Sequence, residues 1–587
     1  MRCHKFRNVF LLWFSLALLT FGLCSSNKVY RVSLNGDRSV SLHWKLNYQD
    51  NAVDFEIHLP DEFGWFAFGF SDRGASFPAD YCLLWKNTKG KLSLQDTWAN
   101  DNGVLQLDKQ QDCKNFRVTE RRGTTKFAFT RIFDTCDDED YIIEDGTTHI
   151  VWSRGQHRLY QAKGVNVSVS GREHFGMVRV HLLKNTETDD KLPPYVQVLD
   201  LLVDKVKVPA VETTYWCKVF KLPREYGQKH HIYQFEANIQ ESSQGLVHHM
   251  ELFHCETKVG ENFPLYSGNC FAEERPPTTQ VCKRVMSAWA MGAPPFTYPE
   301  EAALPLGGKN FNPYVMLEIH YNNPELKAGI TDNSGIRLYV SNKLRKMDAG
   351  VMELGLEYTD KMAIPPDQDL FPLIGYCISS CTSMGLPAEG ITIFGSQLHT
   401  HLTGARVYTR HFDSYGRELP ELNRDNHYST HFQEIRKLKK PIKVLPGDVL
   451  ITRCDYNTKG RRNITLGGFS ISDEMCVNYI HYYPHTDLEV CKSSISDQAL
   501  KTFFDYMNEW ENQPTSSTNA VSDNYRAITW NPMRVQLLNE VYREAPLSMQ
   551  CNMSSGDRFP GYWENASVPP VFLPLTPSSR KCNRDAY

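Results

Sequence analysis

Histidines and one methionine are the side chains of this 587-residue chain whose types and spacing suggest chemistry. The adjacent pair His248 and His249 lies inside the apolar run LVHHMELFHC, where two neutral imidazoles are poorly accommodated without partners. One ring facing solvent and the other meeting a backbone carbonyl would explain the pair without a ligand. In SQLHTHLTG, His399 and His401 stand two residues apart; on a strand that spacing puts both rings on one face, where they can converge on one ion. A structural or surface role is the alternative for such a pair. His320 in VMLEIHYNNP and Met475 in DEMCVNYIHYYP add another imidazole and a thioether, although a methionine in an apolar run is ordinarily core. In combination these residues point to copper, because soft sulfur stabilises Cu(I) while nitrogen ligands serve both oxidation states. Zinc would normally draw on cysteines, and here the cysteines are committed to disulfides by compartment.

The elements that must position these residues belong to an exported chain. Arg2, His4, Lys5 and Arg7 precede an apolar run from Val9 to Leu23 and the small residues Cys24, Ser25 and Ser26, the order of a signal peptide over residues 1–26. Left uncleaved, that leader would hold the chain to a membrane. No second apolar stretch of spanning length follows, and the polar end from Lys581 to Tyr587 carries no anchor or retention motif. Of 16 cysteines, Cys3 and Cys24 leave with the leader, and an even number remains for pairing. Sequons at Asn166, Asn463, Asn552 and Asn565 agree with that route. With 64 basic and 68 acidic side chains, a net charge of −4 and no long run of either sign, nucleic acid is not an expected partner.

Short runs with period-two alternation, among them Val32 to Leu34, Ser39 to Trp44, Phe55 to Leu59, Trp65 to Phe70, Phe127 to Thr130 and His149 to Trp152, predict an antiparallel β-sandwich over 27–184. A polar, proline-bearing linker is expected over 185–207. Strands continue at Val315 to Tyr321, Gly335 to Val340, Ile391 to Leu398 and Val444 to Thr452. A break at IPPDQD divides them into domains at 208–363 and 364–500, each long enough for its own sandwich, so the chain reads as all-β. A C-terminal tail over 501–587 completes it, with helices expected around Ser496 to Asn512 and Met533 to Tyr542.

The segments ETTYWC (Glu212 to Cys217), HHMELFHC, LEIHYNNP, FGSQLHTHLTG and EMCVNYIHYYP, in this order, resemble those of the dopamine β-hydroxylase family of copper type II, ascorbate-dependent monooxygenases. The closer likeness is to its DBH-like monooxygenase subgroup, and the peptidylglycine hydroxylases are more distant. FDTCDDEDYIIEDGT resembles the family's N-terminal DOMON-type domain. The resemblance implies a DOMON-type sandwich followed by two jelly-roll-like copper domains. It assigns an electron-storing copper to His248, His249 and His320, and an oxygen-binding copper to His399, His401 and Met475. Ascorbate is the implied electron donor, O2 the co-substrate, and a small organic molecule the species hydroxylated at an activated C–H bond. Tyr215 and His399 match positions treated as catalytic; a buried ring near a disulfide is the plainer role for Tyr215. Glu353 and Tyr482 match positions suspected to meet an amine substrate.

The family's disulfide frame implies Cys136 with Cys582, Cys217 with Cys270, Cys255 with Cys282, Cys377 with Cys491, Cys381 with Cys551, and Cys454 with Cys476. Cys82 and Cys113 depart from that frame and are expected to pair with each other. A homo-oligomer in the secretory lumen or outside the cell is also implied. A secreted copper-binding protein without turnover is the alternative function. Relatives of the DOMON-type domain bind haem or sugars, but no axial haem pair is evident, so it is expected to be an accessory or oligomerisation module.

Overall fold

The computed structural model describes residues 28–575 apart from 37, 88, 158, 160–166, 170–174, 185–190, 259, 292 and 324. The expected leader, the sequon at Asn166 and Cys582 lie outside the described residues.

Three sandwiches follow one another along the chain. In the first, a five-stranded sheet containing Ser41–Asn47, Ala52–Pro60 and Thr124–Ile132 packs on a six-stranded one containing Trp65–Ser71, Ala79–Lys86 and Thr148–Gly155. Alternate residues Val53, Phe55, Ile57 and Leu59 of one sheet meet Phe66, Phe68 and Phe70 of the other, as period-two strands burying one face require. In the second sandwich, a sheet ordered Ser267–Asn269, Thr213–Lys221, Tyr314–Asn322, Val247–Cys255, Cys282–Ala290 covers a sheet built on His230–Asn238 and Gly335–Ser341. In the third, Arg436–Val444, Ile391–His399, Val477–Tyr483, Gly350–Leu356, Leu488–Ile495 and Leu547–Met553 form one sheet in that order. The other runs Phe371–Cys377, Val449–Tyr456, Gly404–Phe412, Glu418–Asp425. Among the strands of the described residues, pairing is antiparallel except at two places, one of them Gly350–Leu356 alongside Leu488–Ile495.

Several boundaries differ from expectation. The later part of the linker forms the edge strand Gln197–Leu202, paired with Gly335–Ser341, because Leu201 has an apolar core to enter. The division between the last two domains falls before Gly350 rather than at 363/364, since Gly350–Leu356 lies inside the third sandwich's sheet. The run from Val444 to Thr452 is two strands, Arg436–Val444 and Val449–Tyr456, separated by a turn in which Gly447 takes φ 94°, as Pro-Gly dipeptides favour. The tail contributes structure of its own. Asp497–Glu509 is capped by Ser496, Pro532–Glu544 by Asn531, and Val521–Ala527 is a third, unexpected helix. Leu547–Met553 then returns to close the sheet beside Leu488–Ile495. No helix among the described residues is long and apolar enough to cross a membrane.

Six disulfides tie these layers: Cys82–Cys113, Cys217–Cys270, Cys255–Cys282, Cys377–Cys491, Cys381–Cys551 and Cys454–Cys476. Cys136 is disulfide-bonded as well. Of the sequons, Asn463 and Asn565 are exposed, whereas Asn552 sits within a strand with its Oδ1 buried. Because Cys381–Cys551 closes 170 residues and Cys454–Cys476 only 22, replacing Cys381 and Cys551 together by serine should cost about 4 kcal/mol, more than replacing Cys454 and Cys476. Guanidinium unfolding curves check the order of the two losses.

Candidate copper centres

The second and third sandwiches meet through the outer faces of two sheets. Along Tyr314–Asn322, Val315, Leu317, Ile319 and Tyr321 enter the domain core, which leaves Glu318 and His320 pointing outward. Thr213–Lys221 sets Tyr215 directly beside His320, and Val247–Cys255 sets His249 on its other side. Adjacent residues of a strand ordinarily face opposite ways, but the register shifts between Val247 and His249. The bulge at His248 re-aims its side chain. His248 Nδ1 lies 3.1 Å from His249 Nδ1, which lies 3.3 Å from His320 Nδ1. Tyr215 stacks on His320 with ring centroids 4.5 Å apart and planes 5° apart.

The residues present fit a metal. Burial, together with the neighbouring imidazoles, pushes His248 to about 4 and His320 to about 3, and holds His249 well below the usual imidazole range. All three are therefore neutral near pH 7. One proton can satisfy one of the two Nδ1 contacts but not both, and His320 Nε2 is buried without a partner. A cation at the convergence of the three Nδ1 atoms resolves that conflict.

On the facing sheet, His399 ends the strand Ile391–His399, and His401 lies in the turn beyond it. The two rings converge, with centroids 5.3 Å apart and planes at 84°, but through the turn rather than the strand repeat first expected. Glu474 holds that turn, accepting hydrogen bonds from His401 N, Thr403 N and Thr403 Oγ1 at 2.8, 2.6 and 2.6 Å. His399 Nδ1 donates to Gln433 Oε1 at 2.5 Å and His401 Nδ1 to the Asp473 carbonyl at 3.0 Å, leaving both Nε2 atoms as lone-pair donors. Met475 is buried next to Glu474; Tyr456 OH donates to its carbonyl at 2.6 Å and Cys454–Cys476 fixes its neighbour.

A cavity of about 30 Å³ between the sheets is lined by His248, His249, Glu251, Gln397, His399 and Gln433. Glu251 is directly opposite Glu318; burial and the neighbouring carboxylates push Glu251 up to about 8. Glu353 shares the site-facing register with Tyr479 and Gln397, but its Oε2 accepts from Lys492 Nζ at 2.5 Å and Tyr358 OH at 3.0 Å. Tyr482 does not face the site. It packs with Met352, Leu354 and Ile480 in the third sandwich's core, because side chains alternate and Tyr479 takes the outward position, its ring 6.0 Å from His399. The sequence reading missed Glu251, Gln433, Tyr479 and His431, whose Nδ1 lies 3.3 Å from His248 Nε2. Tyr479 was recoverable from strand parity; Gln433 and His431 belong to a loop with no local signal.

That loop, 425–436, also docks on the first sandwich. Asp425 accepts from Thr147 N at 3.0 Å, Thr147 Oγ1 at 2.7 Å and Arg436 at 2.9 Å. Asn426 donates to Glu144 at 2.8 Å, and Glu434 lies 3.5 Å from His181 Nδ1.

Two histidine clusters face a common space, an arrangement suited to metal binding, and the matches with known proteins name the class of the chain. Residues 199–328 match the N-terminal domain of copper type II ascorbate-dependent monooxygenases, 347–504 match their C-terminal domain, and 36–155 match the DOMON domain. The chain belongs to the copper type II ascorbate-dependent monooxygenase family. Dopamine beta-hydroxylase of Homo sapiens is 42% identical over 94% of this chain and 89% of its own. Tyramine beta-hydroxylase of Caenorhabditis briggsae is 37% identical over 95% of each. DBH-like monooxygenase protein 1 of Homo sapiens is 32% identical over 98% of this chain and 95% of its own. At 42% against 32%, identity by itself does not single out the DBH-like subgroup. The chain is an oxidoreductase, a monooxygenase with copper as cofactor and ascorbate as electron donor.

Glu474→Ala should weaken copper binding in the third sandwich about ten- to a hundred-fold and leave the second sandwich's affinity unchanged, as read by competition with a chelator. Tyr215→Phe should keep copper affinity within about two-fold, since the ring stacks on His320 and no hydrogen bond from its hydroxyl occurs among the described residues; Tyr215→Ala should lower it in the same titration.

Proposed function

We propose that His248, His249 and His320 hold one copper and His399, His401 and Met475 a second, and that the chain hydroxylates an activated C–H bond of a small phenylethylamine-like amine. The observation that carries this reading is the convergence of three neutral Nδ1 atoms, 3.1 and 3.3 Å apart, on a cavity shared with His399. Copper bound there supplies one-electron redox chemistry and activates O2, so that one oxygen atom enters the product and the other leaves as water.

The chain's own residues supply position. Gln433 and the Asp473 carbonyl hold His399 and His401 in the tautomer that leaves Nε2 free. Tyr215 fixes the plane of His320. Met475 adds the soft donor that favours the reduced metal. Two hydroxylase relatives are named for the amines dopamine and tyramine, while Glu353 is already paired with Lys492 and burial favours the neutral, proton-donating form of Glu251. Residence in the secretory lumen or outside the cell, as a homo-oligomer, is part of the same proposal and fits six disulfides.

The test is copper stoichiometry with ascorbate-dependent O2 uptake and product analysis on a panel of phenylethylamines. The wild type should bind two coppers and turn over. Met475→Ala should lose most copper from one site, and His248→Ala from the other, each abolishing coupled product. Correctly folded protein that binds no copper specifically would overturn the assignment.

A further inference from the structure

The strand Phe175–Val180 is the outer strand of the first sandwich's six-stranded sheet and carries Arg179 opposite His149. Two residues along from each, His181 reaches Glu434 and Thr147 holds Asp425. This face therefore lies against the loop 425–436, the loop whose His431 sits 3.3 Å from His248. Arg179 has no hydrogen bond or ion pair among the described residues, and its Nε is buried without a partner. The carboxylates of the facing loop are already engaged, Asp425 with Thr147 and Arg436, Glu434 with Arg436 and His181. A half-buried guanidinium with no anion beside it is costly, and its planar fork is suited to a ligand with two adjacent anionic or polar oxygens.

We propose that Arg179 docks the ascorbate monoanion at the seam between the first sandwich and the His248, His249, His320 centre. The inference rests on the copper assignment above and names the side from which electrons enter. Ascorbate bound there releases one electron and one proton and leaves as the monodehydroascorbate radical. The electron reduces the oxidised copper held by the three histidines, and the proton goes to solvent. Two such events supply the two electrons that one monooxygenase turnover consumes. The N-terminal sandwich thereby becomes part of the reductant site.

Two measurements on the full chain test this. Anaerobic equilibrium dialysis of ascorbate against copper-free protein should show binding that weakens about ten-fold in Arg179→Gln and much less in Arg179→Lys. On copper-loaded protein, with loading checked by metal analysis, loss of the Cu(II) paramagnetic resonance signal should need about ten-fold more ascorbate in Arg179→Gln. Reduction by uncharged N,N-dimethyl-p-phenylenediamine should proceed unchanged. Arg179→Gln removes an unpaired buried cation and should melt no lower than wild type. Ascorbate binding that is the same in wild type and Arg179→Gln, or slowing of both reductants alike, overturns the proposal. Absence of copper in the metal analysis would instead defeat the copper assignment, with the dialysis still deciding the role of Arg179.

Discussion

Asp425 is the carboxylate on which the arrangement of the whole molecule turns. It is 1% exposed, and a charge that deep persists only if it is paired and hydrogen-bonded. Its partners are Thr147 of the first sandwich and Arg436 of the third, so satisfying it locks the two domains in one relation. The loop between Asp425 and Arg436 has little freedom left. His431 is thereby set against His248 of the second sandwich and Gln433 against His399, while Ile435 joins the second sandwich's core. One loop consequently touches all three sandwiches and both histidine centres.

The two centres depend equally on a second constraint, that a strand has two faces. In each catalytic sandwich the inward face is spent on the core, and the outward face of one sheet carries the polar chemistry. Beside them, Phe296, which pairs with the second sandwich's other sheet, lies 5.0 Å from His481 and 6.2 Å from Phe394 of the third. Histidines, Glu251, Gln397 and Gln433 are left around a space of about 30 Å³. Burial there keeps the imidazoles neutral, which is the state a metal requires.

Much of this was legible in the chain. Short apolar, β-type runs located Trp65–Ser71, Tyr314–Asn322 and Ile391–His399 to within a residue, because buried strands bounded by turn residues stand out in the sequence. The clustering of histidines marked both centres. What escaped was whatever depends on an irregularity or a distant partner. Nothing in VHHM announces the bulge that turns His248 and His249 to one side. The turn carrying His401 is held by Glu474, 73 residues away. Tyr482, implied by the resemblance alone, packs in the core, and Tyr479, on the opposite face of the same strand, stands by His399. Gln197–Leu202 reads as linker because it directly follows the polar, proline-bearing segment, and its pairing with Gly335–Ser341 lies far off in the sequence.

The position of Leu547–Met553 has a consequence for biogenesis. This strand lies beside Leu488–Ile495 in the sheet that bears His399, and Cys551 within it bonds Cys381. Synthesis proceeds from the N-terminus, and domains generally fold as units in that order. The first two sandwiches can close while later residues are still being made, but the third must wait with an open sheet edge and an unpaired Cys381 until its last strand arrives. A transcript truncated between Met475 and Leu547 would therefore encode all six histidine and methionine positions of the two centres and still deliver an unfinished sheet, with a bare edge for quality control to recognise.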